Sequence, residues 1–326
     1  MQYEIVATLG PHSEDPKLWE FMRAAGVTAF RLNTSHLSLL QLGAWLDKFG
    51  PFLATGYPEL PLILDLQGSK WRVGEFAPFE LPVGASVTLI YGEKAETPGV
   101  LPVPHRDFFQ AAAVSNGELV LNDARIRLAV ESLEADRLQA RVRVGGWISP
   151  RKGVTFTASD YRQEVLGDKD QQIMAQTSSL SFIRYAVSYV RDAKEMANYR
   201  AVFGPAAYLI AKLERRPALV DVQAIAESAD ALWLCRGDLG AELGIAEMAE
   251  AVADFSLRVR EYGKPVLMAG QVLEHMVEHL NATRSEVCYL YEALQRGYAG
   301  VVLSDETAMG QYPLECCQTA AMFKKK

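Results

Sequence analysis

Short, nearly uninterrupted apolar runs alternate along this chain with longer stretches whose apolar residues recur at helical spacing. Ile5-Val6-Ala7-Thr8-Leu9 ends at Gly10-Pro11. A helical stretch follows over residues 16–25, with Trp19, Met22 and Arg23 at helical spacing. Ala29-Phe30-Arg31-Leu32-Asn33 is the second predicted strand, residues 37–49 a second helix, and Leu62-Ile63-Leu64-Asp65-Leu66 the third strand. Continuous apolar runs of this length, separated by helices, predict parallel strands covered on both faces.

Between residues 73 and 152 the rhythm changes. Segments such as Ser86-Val87-Thr88-Leu89-Ile90, Glu118-Leu119-Val120-Leu121, Ile126 to Val130 and Leu138 to Val144 alternate apolar with polar and are punctuated by Gly, Pro, Asn and Asp. That pattern predicts a small antiparallel β-domain inserted after the third strand. The earlier rhythm returns at Asp168, with strands predicted at 185–190, 208–213, 231–235, 265–269 and 300–303. Three strands before the insert and five after it predict an α/β chain, a (β/α)8 TIM barrel built from residues 1–72 and 153–326.

Composition narrows the function. The 326 residues are 49% hydrophobic and 22% charged, ordinary for a globular protein. A formal net charge of −7 does not favour nucleic acid or an acidic membrane surface as partner. An anionic substrate would need local positive charge or a metal. No apolar run reaches the length of a membrane span, and the first residues lack the basic start of a signal peptide, so a cytoplasmic protein is expected. Cys235, Cys288, Cys316 and Cys317 lack zinc-ligand spacing and are expected to be reduced core thiols. Lys324 to Lys326 read as a solvated tail.

The candidate chemistry lies at the C-terminal ends of the strands, where barrel enzymes place their working residues. Strand two ends in Arg31-Leu32-Asn33-Thr34-Ser35-His36 and strand three in Asp65 to Arg72. Strand five ends in Lys212-Leu213-Glu214, strand six in Arg236-Gly237-Asp238-Leu239-Gly240, and strand eight in Ser304-Asp305-Glu306-Thr307. Glu214 and Asp238 end consecutive strands, and two carboxylates with room for water and substrate oxygens suit Mg2+ or Mn2+. The competing reading is a pair of rim acids neutralised by Arg215, Arg216 or Arg236. Lys212 shares a strand face with Glu214 and could stabilise a phosphoryl group or simply pair with that carboxylate. The backbone of the Gly237–Gly240 turn could hold a small carboxylate. Arg31 and Arg72 suit a phosphate. Asn33, Ser35 and Asp65 offer hard oxygens for a monovalent cation.

Taken in order, Ile5 to Pro11, Phe30 to His36, Leu64 to Gly68, Ile210 to Glu214, Arg236 to Gly240 and Leu303 to Ala308 resemble pyruvate kinase nearly end to end. The resemblance implies phosphate transfer between phosphoenolpyruvate and ADP, with Mg2+ or Mn2+ on Glu214 and Asp238. It implies that Lys212 stabilises the transferring phosphoryl group, that Arg31 contacts it, and that Arg72 serves the nucleotide phosphates, with His36 near the nucleotide. Asn33, Ser35, Asp65 and the Leu66 carbonyl would form the monovalent-cation site, and the backbone at Gly237 and Asp238 would bind the pyruvate carboxylate. The 73–152 insert corresponds to the family's mobile lid, a small β-barrel. Lys70 stands where an ammonium replaces the monovalent ion's charge, so K+ is expected to be dispensable. A homodimer through the barrel helices is the expected assembly.

The chain departs from the family pattern at four places. Gly270 stands where the family has its catalytic threonine, and Asp305 adds a negative charge where the family has Gly. Gly153-Val154-Thr155-Phe156-Thr157-Ala158 replaces the usual Gly-Val-Asn-Leu-Pro-Gly, and Asn122-Asp123-Ala124 the usual Asp-Asp-Gly. The C-terminal regulatory domain is expected to be absent. These departures keep open two further readings: a catalytically silent metabolite-binding homologue, and a metal-dependent lyase or decarboxylase acting on a 2-oxo acid.

Overall fold

A computed structural model describes residues 3–114, 118–122, 125–157 and 166–324. Eight parallel strands close into a barrel: β1 Glu4–Thr8, β2 Ala29–Asn33, β3 Leu62–Leu66 and, after the insert, β12 Ile183–Val187, β13 Leu209–Leu213, β14 Ala231–Cys235, β15 Val266–Ala269 and β16 Gly300–Leu303. Closure is made where β1 pairs with both β2 and β16, Thr8 opposite Arg31 and Ala7 opposite Leu303.

The helices between these strands start and stop on local chemistry. Asp15 caps Pro16–Ala24 by accepting from the Lys17 N–H at 2.9 Å. Ser38 with Gln41 and Thr283 with Glu286 form reciprocal caps on Leu39–Ala54 and Arg284–Arg296. The helices bury Trp19, Phe49 and Phe52 against Phe30 of β2. Inside the barrel, small and large residues interleave: Ala29, Ala186, Ala231 and Ala269 leave the space that Trp233 fills.

Among the described residues the insert carries eight strands: β4 Phe79–Leu81, β5 Ser86–Tyr91, β6 Val100–Val103, β7 Leu119–Leu121, β8 Ile126–Glu134, β9 Arg137–Val144, β10 Gly146–Ile148 and β11 Val154–Phe156. Six form a sheet in the order β11-β7-β8-β9-β5-β6, and β10 pairs with β4. Its own core runs from Trp71 through Phe108 to Phe156. The sheet therefore extends past residue 152, because β11 pairs antiparallel with β7. The chain enters and leaves the sheet as a bonded ribbon: Arg72 bridges Gly153, the Val73 N–H donates to the Lys152 carbonyl at 3.0 Å, and the Val154 N–H donates to the Trp71 carbonyl at 3.1 Å.

Four predicted features are corrected. The insert is not wholly antiparallel, because β5 pairs parallel with β6. Lys324 of the predicted tail donates to the Gly26 carbonyl at 3.0 Å, while Lys325 and Lys326 lie outside the described residues. The strand placed at 185–190 ends at Val187, because Tyr189 takes a left-handed backbone (φ 63°) and turns the chain there. Cys288 is exposed on its helix, while Cys235, Cys316 and Cys317 are buried and all four are free. Among the described residues no helix is long and apolar enough to cross a membrane.

Candidate active site

Successive residues of a strand face opposite sides, so one parity of each strand lines the barrel interior. On β2 that parity is Ala29, Arg31, Asn33; on β3, Ile63 and Asp65; on β13, Ile210 and Lys212, followed by Glu214. Apolar residues of this parity fill the barrel, and the polar ones converge at its C-terminal mouth. The sequence pattern thus brings Arg31, Asp65, Lys212 and Glu214 into one cluster.

The centre of that cluster is the Lys212 ammonium. It lies 3.0 Å from Asp65 Oδ1 and 3.0 Å from Glu214 Oε1, and donates to Ser188 Oγ at 2.8 Å. Burial works against its charge, but Asp65 and Glu214 outweigh that and hold the ammonium protonated. Asp65 is buried too. Burial would raise its carboxyl, yet Lys212 and Arg31 win and hold it at about 2. Arg31 donates from Nε to Asp65 Oδ2 at 2.8 Å and from Nη1 to Thr8 Oγ1 at 2.7 Å. Ser188, which the sequence reading missed, also donates to the Leu66 carbonyl at 2.7 Å.

Glu214 is fully buried, and desolvation raises its pKa. Its Oε2 accepts from the Tyr189 N–H at 2.8 Å, while Oε1 accepts no aligned hydrogen bond. Burial also acts to raise Asp238, but Lys70 and Lys212 outweigh it and lower its pKa. Lys70 forms an ion pair with Asp238. Asp238 in turn contributes to raising Glu214, so the two acids share one electrostatic environment. The arginines proposed as neutralisers go elsewhere: Arg216 pairs with Glu247, Arg215 lies 3.8 Å from Glu242, and Arg236 donates to backbone carbonyls. Among the described residues no group of three or more His, Cys, Asp or Glu could hold a metal. A two-carboxylate set, with Glu214 Oε1 held among the described residues only by the Lys212 ion pair, fits a hard divalent cation that keeps water or substrate oxygens in its other positions.

The residues read as a monovalent-cation site are engaged with protein partners. Asn33 Oδ1 accepts from the Ser35 N–H at 3.3 Å, the Leu66 carbonyl accepts from Ser188, and both Asp65 oxygens are bonded.

Positive charge collects where the barrel meets the sheet. Packing around the His36 ring, then Arg72, Lys152, Lys70 and Arg31, hold its imidazole down at about 3, although part of the residue reaches solvent. Arg72 donates from Nη1 to the Arg151 carbonyl at 2.8 Å, and among the described residues its buried Nε has no hydrogen-bond partner. Lys169, also missed in the sequence, donates to the Thr34 carbonyl at 2.6 Å; burial and then Arg151 lower its pKa to about 8. Anion binding at this corner is expected to weaken as pH rises through that value. Sulfate keeps its charge over this range, so a calorimetric titration with sulfate checks it, with Lys169→Met as the pH-independent control. Stability has the opposite slope. It should rise with pH between about 8 and the ordinary 10.5, where only the unfolded chain retains the proton.

On the opposite side, helix Arg236–Leu243 begins without a side-chain cap, which leaves its first-turn N–H groups available to an anion. Gly270 faces this turn at φ +84°, and a Cβ there would lie 3.0 Å from the Gly237 nitrogen. The Gly270 and Gln271 carbonyls accept from Arg236 Nη2 at 2.6 and 2.8 Å. Buried Glu306 anchors the same loop by accepting from Val272 and Leu273 N–H groups at 2.9 and 3.1 Å. Gly270 is thus more than a missing hydroxyl, because its backbone has a conformation that L side chains rarely adopt. Gly270→Thr is expected to cost about 1–3 kcal/mol in a denaturant titration and to leave phosphotransfer no faster. Asp305 is exposed at this rim. Asp123, Ala124 and Ala158, three of the departing positions, lie outside the described residues.

The sheet covers Asp238. Val120, Val154 and Thr155 close over Lys70, Tyr189 and Asp238, leaving about 10 Å³, roughly one water.

The sequence profile of the pyruvate kinase barrel domain matches residues 1–317. A pyruvate kinase of Agrobacterium vitis is 33% identical over 318 residues, which cover 97% of this chain and 66% of that protein. One from Methylorubrum extorquens is 32% identical, with the same coverage, and one from Aeropyrum pernix is 31% identical over 99% of this chain and 70% of its own length. The chain spans about two thirds of the length of these relatives. With its closed barrel, its inserted sheet and this match over nearly every residue, the chain belongs to the pyruvate kinase family.

Proposed function

We propose that the chain moves a phosphoryl group between phosphoenolpyruvate, or a related enolpyruvate, and ADP, with Mg2+ or Mn2+ on Glu214 and Asp238. The observation that carries this reading is the Lys212 ammonium, kept charged by two buried carboxylates at 3.0 Å. Phosphoryl transfer asks a protein chiefly for positioned charge in a site shielded from water. The divalent ion would add positive charge opposite the phosphoryl and enolate oxygens. Lys212 would offset charge on the equatorial phosphoryl oxygens. The first turn of Arg236–Leu243 would orient the substrate carboxylate, and Arg72 with Lys169 would hold the nucleotide phosphates. Asp65 keeps Lys212 protonated and aimed, while Arg31 completes that pair.

ATP formation from phosphoenolpyruvate and ADP, measured with Mg2+ or Mn2+ and with or without K+, tests the proposal. Activity is expected with little dependence on K+, and Glu214→Gln should lower it roughly 100-fold or more. No ATP with either divalent ion would overturn the reading. A second reading, metabolite binding without turnover, draws support from the strained Gly270 backbone in place of a threonine. It expects phosphoenolpyruvate to bind with no ATP formed.

A further inference from the structure

Helices Ile245–Leu257 and Arg284–Arg296 lie side by side, next to Met268 of β15. Ala249, Ala253 and Ala293 are too small to close the gap between them, and a cleft of about 310 Å³ remains. That size lies within the range of small-molecule pockets. Ala249 and Ala253 are exposed, so the cleft opens to solvent. Tyr289, Tyr298, Met248 and Met268 line it, with Met268 and Tyr298 almost wholly buried beneath it. Arg236, Glu292 and Arg296 stand at its polar edge. Glu292 is taken up by Arg296 at 2.6 Å, which leaves the Arg236 charge as the excess. Among the described residues, the Nη1 groups of both arginines make no hydrogen bond.

We propose that this cleft binds a small aromatic carboxylate and that the bound anion acts on the active-site turn through Arg236. Tyrosine faces and thioether sulfurs favour an aromatic body, and one excess guanidinium favours one negative charge. The coupling is covalent and geometric. Arg236 stacks on Tyr289 at 5.0 Å and, through its Nε and Nη2, holds the carbonyls of Gly270 and Gln271, both at positive φ. Met268 precedes Ala269-Gly270 on the same strand. Met248 packs against Gly240 of the anion-facing helix, with its Cγ 3.7 Å from where a Cβ would sit. An anion that engages the free edge of Arg236 therefore pulls on the group that fixes the 270–271 turn.

The experiment is an NMR titration of the whole chain, labelled at the methionine methyl groups and backbone amides, with naphthalene-1-acetate. The Met248 and Met268 methyl signals and the Gly270 and Gln271 amides are expected to shift along one saturation curve. Ala253→Trp, a surface change that fills the cleft, should weaken binding about 10-fold or more. The neutral alcohol analogue should bind about 10-fold more weakly, the loss of one charge-assisted contact. Absence of saturable shifts, equal binding by the alcohol, or unchanged binding in Ala253→Trp overturns the site. Methyl shifts with stationary Gly270 and Gln271 amides overturn the coupling. None of these readouts needs turnover, so they are independent of whether the chain transfers phosphate.

Discussion

A Lys212→Met chain is expected to lose about 3–5 kcal/mol of folding stability together with all measurable phosphotransfer. Asp65 and Glu214 are both almost wholly buried, and the ammonium is 3.0 Å from each. Methionine keeps most of the volume, so the cost isolates the charge. Removing one partner of a buried ionic cluster leaves the others uncompensated, which is far worse than never having buried the cluster. Arg31 still faces Asp65, so the larger share of the penalty should fall on Glu214. A Lys212→Met, Glu214→Gln double variant should therefore recover part of the loss in a double-mutant cycle. A single-variant loss below about 1 kcal/mol, the range of an exposed ion pair, would show that the cluster is solvated instead of buried.

Replacing Gly68 by Ala should destabilise the chain by about 2–4 kcal/mol, the sum of backbone strain and overpacking. Gly68 has φ +58°, and a Cβ there would come within 2.2 Å of the Ser188 carbonyl. Its N–H donates to Asp170 at 2.9 Å, so the turn cannot back away without breaking that bond. Ser188 bonds both Asp65 and Lys212, which carries the displacement into the Lys212 cluster. Activity should fall through kcat more than through KM. Gly56→Ala is the control: φ is +133° but nothing lies within 4 Å, so strain alone remains. Equal thermal shifts for the two variants would refute the steric part of this account.

The barrel was legible because buried parallel strands leave a strong trace, such as Leu62–Leu66 or Ala231–Cys235 between amphipathic helices. The clustering of Arg31, Asp65, Lys212 and Glu214 was legible for the same reason: a charged residue that interrupts such a run must be explained. Tyr189 and Val190 misled because they are apolar and buried in a turn, and periodicity cannot distinguish that from strand. In the insert, β4, β10 and β11 are three residues each and β6 contains Pro102, too short or too irregular for an alternating pattern. Ser188 and Lys169 carry no spacing signal, and only folding brings them to Asp65 and Thr34. The Lys70–Asp238 pair joins residues far apart in sequence, and nothing local marks it. Gly270 was visible as a substitution, while its backbone angle was not.

Should the sheet swing, the ribbon formed by residues 71–73 and 152–154 is its pivot. In any such swing, displacement grows with distance from the pivot. Arg125, 3.7 Å from Glu274 across the gap, would travel far, whereas Lys70, packed beside Gly153, would hardly move. Uncovering Asp238 and discharging it would then be mechanically separate, because the ammonium beside Asp238 sits next to the pivot.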